Sequence, residues 1–267
     1  MIKKYIKNQL IKDGKRIEKF TSRNEILGLI KKLYPKKFHG NLIRLGGVED
    51  GGYLVPDDFF GIEACFSPGV DKISEFELDC YKRGMKLFLA DKSVEKPNLE
   101  IPESEYDFIK KFISCYDNDE YITMDTWINS KDLEKKSDLI LQMDIEGSEY
   151  HSLINISTRL LNRFRIIVIE LHFLDRLWEP AFFNAFETVI NKLTHNHSVV
   201  HAHPNNCCGV YNFMNIPIPR IMEFTFLRND RGLLDDYEKQ FPNTLDRDCT
   251  ENESIHLPQI WYSPDCK

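Results

Sequence analysis

In the stretch LILQMDIEGSEY, residues 139–150, an apolar run ends in three carboxylates, Asp144, Glu146 and Glu149, gathered around Gly147. A carboxylate shut away from water costs several kcal/mol unless something pairs with it. A strand that only holds a sheet together has no use for three of them. They either sit in water on a loop or do chemistry at the strand's carboxyl end. Two more apolar runs close in the same manner: RFRIIVIELHF on Glu170 and His172, and HSVVHAH on His201 and His203. Within each pair the residues are two apart, so they point to one side of their strand.

A carboxylate with two imidazoles and open positions suits a divalent metal such as manganese, iron or zinc. The expected ligands are Asp144, His172 and His203, with Glu170 and His201 as substitutes. Without a metal, one histidine can act as a lone general base for a hydroxyl while the other is a satisfied neighbour; a third reading makes both structural. Glu149 also has a plain role, since an acid in the first turn of the following helix is favoured by the helix dipole. Asn205 and Asn206 either hydrogen-bond acceptor hydroxyls or make a turn.

The elements that must position these groups follow from the pattern of apolar residues. EACFSPGV, MKLFLAD, SDLILQMD, RFRIIVIELHF and HSVVHAH are apolar on both faces, and amphipathic stretches such as EPAFFNAFETVINKLTH lie between the later ones. That alternation predicts an α/β fold: a doubly wound, mostly parallel sheet covered on both sides. IPRIMEFTFLR alternates like an edge strand and is expected to join antiparallel. Residues 1–40 read as a helical N-terminal extension ending before Pro35, and 41–267 as one domain.

In such sheets ligands sit beyond the carboxyl ends of the strands, where every tip here is polar: Ser67, Gly69 and Asp71, then Asp91, then the residues above. Asp91 follows Gly69 by about twenty residues, the spacing at which an acid meets a ribose after a glycine turn. One glycine stands where a pyrophosphate turn wants three. The site is therefore poorly suited to NAD and better suited to a nucleoside without phosphates.

The bulk properties exclude several classes. The chain has 267 residues, 42% of them hydrophobic, and a net charge of −7, which argues against a nucleic-acid binder. Twelve lysines and arginines stand against three acids in the first forty residues, read as a solvated helix face or a contact for an anionic partner. No run of eighteen apolar residues predicts a membrane span, and the start does not read as a secretory signal. Seven cysteines without a CxxC spacing fit neither a disulfide framework nor a zinc ribbon. A cytoplasmic location is the expectation.

FSPGVDKISEFE, LADKS, LILQMDIEGSEY, IIVIELHF, HAHPNN and PRIMEFTFLR, with VEDGGYLVP and LDRDCTENESIHLPQI, resemble the FkbM-like methyltransferases in content and order. This is a branch of the class I S-adenosylmethionine-dependent enzymes, and the resemblance spans roughly residues 40–260, with MDIEGSE its most specific piece. The glycine-rich first motif of the family is reduced here to SPGVDK. The resemblance implies a Rossmann-like fold and O-methyl transfer to a sugar or sugar-nucleotide hydroxyl, as in surface-glycan (capsule polysaccharide) biosynthesis. It implies that Ser67 and Gly69 line the methionine part of S-adenosyl-L-methionine, with Glu75 or Glu77 nearby. Asp91 would hold the ribose, and Asp125 of ITMDTW would lie beside the adenine. The turn of Asp50, Gly51, Gly52 and Tyr53 would close over the cofactor's amino-acid end or the acceptor. Glu146, His201, Asn205 and Asn206 would contact the acceptor. The expected partner is thus a small molecule, with an oligomer left open. An NAD-dependent sugar oxidoreductase and a non-catalytic relative are the competing readings.

Overall fold

The computed structural model describes residues 9–14, 18–48, 51–70 and 74–263. Seven strands form the central sheet: β1 (Ile62–Pro68), β2 (Lys86–Ala90), β3 (Tyr106–Ile109), β4 (Asp138–Met143), β5 (Phe164–Leu171), β6 (His197–Pro204) and β7 (Met222–Arg228). Their spatial order is β6-β7-β5-β4-β1-β2-β3. The pairings among β1 to β5 are all parallel, and β7 runs antiparallel to both of its neighbours. All eight residues of β5 are buried, which is why residues 166–169, between Arg165 and Glu170, read as a continuous apolar run rather than an alternation.

The chain lays down β1, β2 and β3 outward in one direction, then returns to start β4 on the other side of β1. Between β1 and β4 the strand order reverses, and the crossovers leave a crevice there at the carboxyl ends. One core, holding Trp127, Leu141, Ile169 and Phe186, covers one face of the sheet, while a smaller one around Phe76, Leu87, Ile140 and Val168 covers the other.

The helices around the sheet include α1 (Arg23–Lys32), α2 (Glu75–Lys82), α3 (Met124–Asn129), α4 (Glu149–Asn155), α5 (Thr158–Leu161) and α6 (Pro180–Leu193). α1 begins on a capping box between Ser22 and Glu25 and buries Ile26, Leu29, Ile30 and Leu33 in the larger core. α1 therefore shares the sheet's own core, and its lysines, Lys31 and Lys32, point outward from it. A hairpin of Leu42–Leu45 and Tyr53–Pro56 lies on the smaller-core face, where the Thr225 hydroxyl donates to the Leu54 carbonyl at 2.6 Å.

The expectation of an antiparallel edge strand needs correction. β7 is antiparallel, but it lies inside the sheet between β5 and β6. Its alternating polar residues, Glu223 and Thr225, face a buried polar patch rather than water. Alternation reads the same whether the polar side is wet or internally satisfied. Among the described residues, no helix is long and apolar enough to cross a membrane.

Candidate functional site

The loops after β1 and β4 meet at the reversal point. Gly69 has φ +85°, and a Cβ built on it would lie 1.7 Å from the Asp144 carbonyl oxygen. Only glycine allows that approach. Around the junction opens a cleft of about 610 Å³, lined among others by Gly51, Tyr53, Gly69, Glu77, Asp91, Ser93, Phe112, Tyr121, Gln142, Asp144 and Glu146. Its size is that of a small-molecule site.

On the β2 side, Asp91 is 7% exposed and accepts from the backbone N–H and hydroxyl of Ser93, both at 2.7 Å. On the floor, the Ser67 hydroxyl touches Glu77 Oε1 and lies 2.6 Å from Gln142 Oε1, while Gln142 Nε2 is 3.4 Å from the Tyr53 hydroxyl. Burial pushes the Glu77 carboxyl up to about 7, the Ser67 contact only partly opposing it. Burial likewise drives the Tyr53 phenol well above its ordinary value, helped by the charges of Asp144, Glu170 and Glu223.

His172 is the meeting point of the acids. Its Nδ1 lies 3.1 Å from Glu149 Oε1, and its Nε2 lies 3.4 Å from Glu146 Oε2, 3.6 Å from Glu170 Oε1 and 3.8 Å from Asp144 Oδ1. Glu149 is fully buried, and its Oε1 also accepts from the N–H groups of Ile145 and Gly147. That one carboxylate oxygen ties the post-β4 loop to the post-β5 loop, and it holds the imidazole with a hydrogen on Nδ1. Nε2 is then the atom that can take or give a proton. Burial alone would lower His172, but the hydrogen bond to Glu149 and the charges of Glu149, Asp144 and Glu146 together hold it above the ordinary histidine value. Gly147 permits the contact between the loops: a Cβ there would meet the Phe173 ring at 2.2 Å.

Asp144, Glu149 and His172 each bring one donor atom within 4.8 Å of the others. Glu149 Oε2 is buried with no hydrogen-bond partner. The donor set suits a divalent cation, with Glu149 either coordinating or standing behind His172 as its carboxylate support.

Not every expected residue arrives here. His203 does not join Asp144 and His172: a bulge at Val200 turns His201 and His203 onto the face of Thr225 and Glu223, where Asp246 holds both. His201 Nε2 is 2.8 Å from Asp246 Oδ1, His203 Nδ1 is 3.5 Å from Oδ2, and His203 Nε2 is 3.1 Å from the Arg247 carbonyl. Burial opposes the charge on His203, yet Asp246 and Glu223 carry it above the ordinary value. Asp246 itself, despite burial, is held far below the usual carboxylate range by the two imidazoles. None of His172, His201 and His203 lines the cleft directly, but His172 lies behind Asp144 and Glu146, which do, whereas His201 and His203 are tied to Asp246 and anchor the C-terminal segment.

The asparagines are committed in the same way. Asn206 binds Thr250 and Asn252 through both ends of its amide. Asn205 donates to Glu170 Oε1 at 3.1 Å and accepts from the Cys207 N–H at 2.9 Å. Asp125 accepts from the Ser157 N–H at 2.7 Å, joining the starts of α3 and α5 away from the cleft lining. Glu75 is exposed beside Gly47, one helical step off the face that points inward, whereas Glu77 is buried in the wall. Gly51 and Tyr53 line the cleft, while Gly52 packs on the Gly47 carbonyl and Arg44. Asp50 and Asp71 lie outside the described residues.

Glu149 and Gln142 are the residues whose part in the site the chain's pattern did not assign. Gln142 carried a signal, being the lone polar residue in a buried run and two before Asp144. Glu149 stood in the same acidic cluster as Asp144, but a helix-starting acid also reads as solvated, and nothing local placed it beneath His172. Compared with known proteins, the chain matches no family model and no curated sequence.

Proposed function

We propose that this chain is a Rossmann-like O-methyltransferase that uses S-adenosylmethionine to methylate a hydroxyl of a sugar or sugar-nucleotide in cytoplasmic glycan assembly. The observation that carries this reading is the convergence of Gly69, Asp91 and Asp144, from three strands, on one cleft where the strand order reverses. The donor set fits such a cofactor. Gly69 lets the turn after β1 close onto the Asp144 carbonyl, bringing the two loops together at the cleft, and the nearly buried Asp91 carboxylate suits the ribose hydroxyls. Glu77 and Tyr53 line the wall left for the amino-acid part.

The bound cofactor would supply an electrophilic methyl group for in-line displacement. The chain's own residues must present the oxygen. Orientation alone can contribute about 7–11 kcal/mol to such a step, which here falls to Asp144 and Glu170 flanking His172. His172 Nε2 takes the proton from the acceptor hydroxyl, and Glu149 stabilises the imidazolium formed. A second reading has support of its own. The partnerless Glu149 Oε2 favours a divalent cation held by Asp144, Glu149 and His172, which would lower the pKa of the acceptor hydroxyl.

Calorimetric titration with S-adenosylmethionine and, separately, with NAD tests the proposal. Binding of the first and not of the second is expected; the reverse would replace it with an oxidoreductase.

A further inference from the structure

Glu77 differs in kind from the carboxylates around His172. It sits in the first turn of α2, 3% exposed, with its carboxyl against the Ser67 hydroxyl. That hydroxyl owns one hydrogen yet faces two acceptors, Glu77 Oε1 and Gln142 Oε1, while the Gln142 amide nitrogen turns toward Tyr53. In this arrangement all three groups are satisfied when Glu77 brings a hydrogen of its own: Glu77 donates to Ser67, and Ser67 donates to Gln142.

The titratable groups near it are the buried Cys65 thiol of β1, itself hydrogen-bonded to Cys80 of α2, and, across the cleft, Tyr53 from the hairpin with Asp91, Asp144 and Glu146 from the strand tips. Among the described residues, no cation contacts its carboxyl. An ionised carboxylate in that position would have only the Ser67 hydroxyl, its own backbone N–H and the start of α2 to set against its burial, and burial outweighs them, whereas a neutral acid avoids that cost.

We propose that Glu77 stands in the ligand-free protein as a carboxylic acid and gives up its proton when a ligand bearing an ammonium or sulfonium cation settles against it. The inference rests on the methyl-transfer reading, because S-adenosylmethionine carries both cations. The step balances simply. The Glu77 O–H bond breaks, the proton passes to buffer, and the carboxylate remains paired with the ligand's charge. Ser67 can then turn its hydrogen to either oxygen. The wall formed by β1, α2 and the hairpin thereby reads the charge of the ligand, and its affinity for a cation rises with pH through neutrality.

Calorimetry of S-adenosylmethionine binding in two buffers of different ionisation heat measures the proton directly. With the Glu77 acid at about 7, roughly three-quarters of a proton should leave per ligand bound at about pH 6.5, and affinity should be about tenfold higher at pH 8 than at pH 6. 5′-Methylthioadenosine, which lacks both charges, should release none. Glu77→Gln should abolish the release and flatten the pH dependence; release that survives in this variant overturns the inference. Should Glu77→Gln fail to fold, the infrared carboxylic-acid band of the wild type, assigned by isotopic glutamate labelling, must disappear when S-adenosylmethionine is added, and a band that persists overturns it equally. Binding heat without buffer dependence removes this inference alone. No binding heat in any buffer removes the cofactor reading together with it.

Discussion

The two ends of the central sheet treat their charges in opposite ways. At the amino end, Asp138 is gripped by two arginines, with Arg165 Nε and Nη2 at 2.8 and 2.6 Å and Arg228 Nη1 and Nη2 at 2.6 and 3.0 Å. Asp58 is held beside them by Arg231 and Arg165. These forked contacts outweigh burial and keep Asp138 below its ordinary carboxylate value. At the carboxyl end, four carboxylates converge on one imidazole. The amino end spends its charges on holding strands together. The carboxyl end crowds like charges where a bound cation or a proton in transit would relieve them, the arrangement expected of a site that trades stability for activity.

The largest effect expected from this contrast is on turnover. With a hydroxyl acceptor in hand, His172→Ala should lower methyl transfer by roughly 10²–10⁴-fold, the range of a positioned general base. His203→Ala, at a temperature where it stays folded, should remain within about fivefold. Equal losses would erase the distinction between the two histidine clusters. Next comes stability. Asp138→Asn should cost roughly 3 kcal/mol in urea unfolding because it leaves buried guanidinium groups poorly paired. Asp144→Asn and Glu170→Gln should be neutral or stabilising by up to about 1 kcal/mol. A large loss at either of these would mean that the carboxyl end is structural as well.

The pH profile sharpens the same contrast. Glu77 is raised by burial to about 7, so the folded chain binds that proton more tightly than the unfolded chain, and its contribution is lost as pH rises through 7. His203 is also raised; its pairing with Asp246 is fully present below the ordinary histidine value and lost as pH rises through the higher folded one. Asp246 is depressed, so its contribution persists well into acid. Stability should therefore fall by about 1–3 kcal/mol between about pH 6 and pH 8.5, followed by thermal unfolding, and Glu77→Gln should flatten part of the slope. The most local effect is at Gly147, with φ +97° and the Phe173 ring beneath it. Gly147→Ala should cost about 1–2 kcal/mol and loosen the Glu149–His172 contact, visible as a changed imidazole titration by NMR.

Much of the frame was legible along the chain. The five strands expected from apolar runs are all present in the sheet, because burial on both faces leaves a local mark in composition. Asp91, Asp144 and Gly69 meet in one cleft because strand tips in a parallel sheet share an edge. The expected ligand His203 failed for a nonlocal reason: one bulged residue, Val200, and an acid 45 residues beyond His201 decide which way that pair faces. Asn205 and Asn206 have the right chemistry for an acceptor, but their hydrogen bonds are already taken.

By itself, the sequence determined where the chain must be buried and where each strand ends in polar groups, since periodicity and composition act over a few residues. Only the tertiary structure decided which of those groups share a space. Placing β7 inside the sheet, setting Glu149 beneath His172 and drawing Asp246 across to the other histidines depend on strand order and on contacts between distant segments. A carboxylate's chemistry is set by its neighbours, and in this chain the neighbours that matter come from elsewhere in the sequence.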